Sequence, residues 1–235
     1  MTLANILVHL DSSPRCEART ALAVTLAQRH GARLTGLFAE TSQAHRVGVV
    51  ATWPSEDHIA RASAAEAAFL AATAALGDKA AFVDVNRGGE NEILVRTTDI
   101  ARNFDLVILG QSEEGSRVPA DLPEQLVLES GRPVLMVPYA GTYADVGHRP
   151  LFAWHRSRGA SRALSDALPL VQPHAAALVV QAARHGDTGD EFSDLVIANL
   201  AAHGIAAHYQ TVVVEEVKLM DTLLNQAADH SADLM

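Results

Sequence analysis

The sequence predicts an α/β protein built as two doubly wound parallel-sheet modules in tandem, the second of them incomplete. Three observations carry this. Short apolar runs with β-branched members alternate with longer stretches of helical period, the order that gives a parallel sheet covered on both faces. The 235 residues are 49% hydrophobic but only 5% aromatic, so Ala, Val, Leu and Ile must fill the core. The pattern then restarts after Arg149, which is the signature of duplication.

The first strand is Asn5 to Leu10, NILVHL, and it ends at Asp11. Pro14 suits the first turn of a helix carrying Ala18, Leu22 and Leu26 on one face as far as His30. Ala32 to Phe38 is a second strand, and Glu40 to Pro54 reads as irregular. Ser55, with Glu56 and Asp57, makes a favourable start for an Ala-rich helix through Leu76. Phe82 to Val85 is a third strand and Asn91 to Arg102 a third helix. Leu106 to Leu109 is a buried fourth strand, stopped by Gly110. A polar loop with Gly115 and Ser116 follows, then a helix whose start is flanked by Pro119 and Pro123 and whose end is Gly131. Pro133 to Val137 is the fifth strand. The glycine loop between a parallel strand and a helix N-terminus exposes backbone N–H groups suited to a phosphate, or is a plain turn.

Tyr139 to Arg149 is the expected linker, giving modules at 1–140 and 148–235. With an offset of 144, Ser13, Ala23, Leu26, His30, Ala32 and Leu34 fall on Ser157, Ala167, Leu170, His174, Ala176 and Leu178. An offset of 128 places Asp105-Leu106 on Asp233-Leu234. The difference matches the long loop of the first half, replaced in the second by a short turn from Ala183 to Asp190. By this repeat the second module reaches only the start of its fourth strand within these residues, without a glycine loop, fourth helix or fifth strand.

A formal charge of −10 and a pI near 5.5 oppose general binding to nucleic acid or to an anionic membrane. No apolar stretch approaches a membrane span, and MTLANILVHLD lacks the order of a signal peptide, so a cytoplasmic chain is expected. The single cysteine, Cys16, excludes an internal disulfide and a multi-cysteine metal site, and reads as core filler. Among the eleven histidines, His203 and His208 are split by Gly204 and a strand pattern, so no metal is expected. Ser13, Ser116 and Ser157 lack the G-x-S-x-G turn of an acyl-transfer nucleophile. The Ala64 to Ala72 helix face is core or an oligomer contact.

ILVHLDSSP with its helix, DLVILG, and the helix leading into GRPVLMVP resemble a tandem universal stress protein; LFAWHRSRGASRAL with ALPL is similar to the opening of a second module in that family. The resemblance implies an adenine-nucleotide alpha-hydrolase-like fold and a cytosolic stress-response role. It also implies a homo-oligomer through the sheet edge Pro133 to Val137, or pairing of one module with the other. In nucleotide-binding members an Asp after the first strand contacts adenosine. A loop of glycine, two residues, glycine, nine residues and glycine with Ser or Thr holds the phosphates.

Asp11 and Gly110 match that pattern, and the rest departs from it. Glu113 stands at the second glycine. Counting forward puts Pro123-Glu124 at the last pair, and counting back from Pro133 puts Ala120-Asp121 there. Glu113, Glu114 and Asp121 bring carboxylates toward the phosphates, where like charges at roughly 4 Å repel by about 1 to 4 kcal/mol. The reading is a degenerate nucleotide-like pocket of Asp11, Ser12, Ser13, Gly110, Gly115 and Ser116, with Gly115-Ser116 as a shifted anion loop and Asp11 as ligand contact or helix cap. In the second half His155 stands in place of the Asp, with Ser157 nearby. The expected protein is a non-catalytic ligand-sensing or protein-interaction module, taking an adenine nucleotide or another small ligand. The alternatives are an ATP-binding switch with slow, magnesium-assisted hydrolysis, or a small-molecule hydrolase or transferase on the same fold.

Overall fold

The computed structural model describes residues 3–47, 50–183, 191–214 and 218–235. Its chain separates into two compact units, 2–145 and 146–235.

In the first unit, β1 (Asn5–Leu10), α1 (Cys16–His30) and β2 (Arg33–Phe38) follow the predicted order. The stretch read as irregular holds a short antiparallel pair, β3 (His45–Val47) with β4 (Val50–Thr52). Next come α2 (Glu56–Ala72), β5 (Ala80–Asp84), α3 (Glu90–Ala101), β6 (Leu106–Gly110), α4 (Leu122–Glu129) and β7 (Val134–Val137). The Ala-rich helix stops at Ala72, before the predicted Leu76, and continues as a tight 3-10 segment over Ala74–Lys79. Ser55 caps α2 by accepting from the His58 N–H at 3.3 Å. Pro123 sits in the first turn of α4, and Gly131 follows its end at φ +68°.

Five strands form one sheet in the order β5-β2-β1-β6-β7, and every pairing in it is parallel. Strands β1, β2, β6 and the helix packed on them carry the most buried aliphatic side chains, among them Ile6, Leu7, Leu26, Leu34 and Ile108. On one face Leu7, Leu37, Val107 and Leu109 pack with Ile93 of α3 and Leu122 and Leu126 of α4. The sheet winds one way from β1 to β2 and the other from β6 to β7. A cleft is therefore left at the carboxyl ends of β1 and β6, the position where ligands bind in such sheets.

The second unit contains β8 (Leu151–Trp154), α5 (Arg158–Ala167), β9 (Ala176–Ala183), α6 (Ser193–Ala202), β10 (Ala206–Val213) and α7 (Leu219–His230). Its three strands are parallel in the order β10-β9-β8. The turn expected from Ala183 to Asp190 lies, beyond Ala183, outside the described residues. Val179 and Leu200 are fully buried between the sheet and α6.

One local arrangement occurs in both units. Asp105 accepts from the backbone N–H groups of Ala4 and Asn5 at 2.8 and 2.9 Å. Asp233 accepts from those of His148 and Arg149 at the same two distances. Next to these, Ile6 pairs with Leu106, and Pro150 forms a parallel bridge to Leu234. Each of these five pairs of positions follows the offsets read from the sequence.

Candidate functional site

The cleft at the ends of β1 and β6 is assembled from three pieces of chain. Strand β1 delivers His9 and Asp11, the first turns of α1 deliver Arg15 and Arg19, and the loop after β6 runs from Gly110 through Ser116. Asp11, Ser13, Gly110 and Ser116 are thus brought to one cavity, together with Glu113. Ser12, Gly115, Glu114 and Asp121 are not among its lining residues. Gly115 stands at φ +75° in an exposed turn, a conformation that favours glycine.

The side chain that dominates the cavity is Arg19, which the sequence reading passed over. It is 2% exposed, its Nε donates to the carbonyl of His9 at 2.8 Å, and its Nη2 donates to Asp11 Oδ2 at 2.7 Å. Its Nη1 lies against Gly110, where any Cβ would clash with it. The glycine that ends β6 therefore makes room for a guanidinium of the chain itself. Arg19 was detectable in principle. It stands in phase with Leu22, Ala23, Leu26 and Ala27, the buried stripe of α1.

Asp11 is used on both sides. Oδ2 holds Arg19, while Oδ1 accepts from the backbone N–H and the hydroxyl of Ser13 at 2.9 and 2.5 Å. The carboxylate therefore fixes the loop before α1 and makes no side-chain cap to that helix, contrary to the capping alternative. Burial raises its pKa, but Arg19, His9 and the Ser13 bonds outweigh burial and hold it below the usual 3.8. His9 is 2% exposed, with Nε2 against the Ala39 carbonyl at 2.9 Å and Nδ1 3.7 Å from Asp11 Oδ2. Burial, and next Arg19, push its pKa below 6.5, so the ring is neutral at neutral pH. Cys16 is half-buried, and burial raises its thiol pKa, opposite to what a nucleophile needs.

Ser12 faces a second buried pair. Its N–H and hydroxyl both donate to Glu40 Oε1 at 2.6 Å, and Glu40 Oε2 is bound by Arg61 of α2. Arg61 also reaches Asp57 at 3.1 Å, and Arg117 lies 3.5 Å from the same carboxylate. Neither Glu40 nor Arg61 was singled out from sequence, because each pairs only across a long stretch of chain.

Room in the first cavity amounts to about 20 Å³, enough for about one water. A wider open groove of about 870 Å³ lies farther along the same sheet end, lined by Thr41, Ser42, Ser55, Asp57, Gly88 and Arg117 among others. In the second unit His155 is exposed at the end of β8. Ser157 spends its hydroxyl as the N-cap of α5, accepting from the Ala160 N–H at 3.2 Å. Among the described residues, no group of three or more His, Cys, Asp or Glu side chains is placed to hold a metal ion. No described helix is long and apolar enough to cross a membrane.

Comparison with solved structures decides the fold. A universal stress protein from Archaeoglobus fulgidus DSM 4304 superposes with a TM-score of 0.74 at 16% identity, over 97% of this chain and 82% of that one. The fold is that of a universal stress protein. Two shorter structures with that family name align over 58% of this chain each. One is UspA from Lactobacillus plantarum, with 26% identity, 99% of its own length covered and a TM-score of 0.41. The other is a universal stress protein in complex with cAMP, with 20% identity, 98% covered and a TM-score of 0.44. No protein-family model matches the sequence, and no curated protein matches it. Within the universal stress protein fold, the cavity at Asp11 and Gly110 is the cleft where the strand order reverses, and here it is filled by Arg19.

Proposed function

We propose that this chain is a non-catalytic stress-response protein, acting in the cytoplasm as a ligand-sensing or protein-interaction module, and that the nucleotide pocket of its first unit is degenerate. One observation carries this reading: both oxygens of Asp11 are committed inside the protein, to Arg19 and to Ser13. A carboxylate engaged in that way has little left to offer a nucleoside. The small cavity supports the same reading, and so does Glu113, whose charge on the cavity wall opposes phosphate.

Sensing then has to use a surface other than this cavity. Duplication of one module is part of the proposal and draws support from the shared Asp105 and Asp233 arrangements. Homo-oligomerisation through the Pro133 to Val137 edge, or module pairing, also belongs to it.

The first experiment is to denature freshly purified protein and assay the released small molecules for adenine nucleotide. The reading expects none in stoichiometric amount. An equivalent of ATP carried through purification, or nucleotide turnover above a buffer control that needs Asp11, would instead establish an ATP-binding switch.

A further inference from the structure

We propose that the outer edge of β10, in the second unit, is a self-association site that takes the same strand of a second copy of this chain in antiparallel pairing. This goes beyond the reading above, which places association at Pro133 to Val137 of the first unit.

Four strands form the edges of the two parallel sheets, and three of them are short. Strand β5 has five residues, follows Lys79 and ends on Asp84. Strand β7 has four, set between Pro133 and Pro138. Strand β8 has four, and Leu234 bridges to Pro150 at its start. Short length, charge and proline are the usual protections of a sheet edge. Strand β10 has none of them. Its sequence AAHYQTVV runs over eight residues without proline, glycine or a charged side chain. It pairs with β9 through consecutive positions from Ala206 to Val213, with no bulge to twist it away. Among the described residues no strand takes its other side, and Val213 is 63% exposed. A long, straight, uncharged edge of this kind is a template for another strand.

The backbone directions show why a second β10 fits it. In a parallel ladder each residue turns its N–H and C=O to one neighbour, and the next residue turns them to the other side. Val214 donates to the Ala183 carbonyl at 2.9 Å, so His208, Gln210 and Val212 turn toward β9. Ala207, Tyr209, Thr211 and Val213 then turn outward, and they are symmetric about Gln210. With a two-fold axis on Gln210, Ala207 opposes Val213 of the second copy and Tyr209 opposes Thr211. Opposed residues of an antiparallel pair exchange both backbone bonds, so every outward residue meets a counterpart. The side chains agree with this register. Tyr209 with Thr211 is an aromatic and β-branched pair, and no like charges oppose each other although the chain carries −10. Helix α6 is set back from the joint, since Val196 and Leu200 pack with Val179 of the middle strand.

The test uses the full chain carrying Met136→Lys, which charges the β7 edge at a side chain 43% exposed and takes pairing there out of the readout. Sedimentation equilibrium at about 100 µM should give a dimer. Thr211→Pro in that chain removes an outward N–H and leaves the bonds to β9 in place, so the dimer should weaken at least roughly tenfold. Gln210→Lys and Gln210→Glu each set like charges on the axis and should be monomers. Mixed in equal amounts, these two should form a heterodimer, an outcome that a merely structural role for Gln210 does not give. Circular dichroism checks that each variant is folded, and if Thr211→Pro is not, the Gln210 mixture decides alone. A dimer left intact by Thr211→Pro and by both Gln210 variants overturns the proposal, and so does a mixture that stays monomeric. If wild type is a dimer and the Met136→Lys chain a monomer, association belongs to Pro133 to Val137, and the proposal fails while that reading stands. A monomeric wild type overturns both.

Discussion

The guanidinium of Arg19 donates to Asp11 at 2.7 Å, with the two side chains 2% and 8% exposed, at the point where the parallel sheet of the first unit reverses its winding. A charged pair so deep is costly to break from one side, because the remaining partner keeps its charge without compensation. Asp11→Ala is accordingly expected to destabilise the first unit by about 3 to 5 kcal/mol, read from urea unfolding. Asp11→Ala combined with Arg19→Met should cost markedly less. Equal losses for the single and the double variant would refute the pairing.

Gly110 sits against Nη1 of Arg19, and that contact makes a second prediction. Gly110→Ala forces the guanidinium off its two acceptors and should cost about 1 to 3 kcal/mol, as overpacking does. In an Arg19→Ala background the same substitution should be nearly free. Additive costs in the double variant would contradict the contact.

Acid should weaken the fold in two stages. His9 is held below 6.5 by burial and by Arg19, so the unfolded chain binds a proton that the folded chain refuses. Its contribution is full above about pH 6.5 and is lost as the pH falls toward the folded value, with a slope of at most about 1.4 kcal/mol per pH unit. Asp11 is held below 3.8, so its contribution is lost only under pH 3.8. His30 is shifted in the same direction as His9, by burial and Arg29. Comparison with His9→Gln therefore isolates the His9 share: stability of wild type and variant should converge as the pH falls below 6.5. Parallel curves would show that His9 does not titrate between the folded and unfolded states.

Asp105 and Asp233 make the same pair of backbone bonds in the two units. Replacing either by Ala should cost about 1 to 2 kcal/mol and speed amide exchange at residues 4 and 5 or 148 and 149 respectively. Protection unchanged at those amides would mean that the bonds are not populated in solution.

Much of the architecture was legible because it depends on local pattern. Strand runs such as NILVHL and LVIL, the Ser55 start of α2 and the Gly131 stop of α4 all reflect near-neighbour chemistry. The offset that puts Asp105 on Asp233 was legible too, although nothing in the dipeptide revealed that the carboxylate caps the start of the first strand. The β3–β4 pair was not readable, as each strand has only three residues. Helix α2 was read too long, since alanines alone give no stop signal before Gly77. At the site, Asp11 and Gly110 were found from sequence while Arg19, between them in space, was not. An arginine on a helix normally reads as a solvated group, and here it is buried only because Asp11 and the end of β1 fold back over the first turns of α1. Arginines whose partners are distant in sequence, such as Arg61 with Glu40, escape for the same reason.

The most direct measurement is a calorimetric titration of the full chain with ATP and magnesium. The account predicts no heat beyond dilution up to about 1 mM nucleotide. A micromolar dissociation constant that disappears in Asp11→Ala would contradict it.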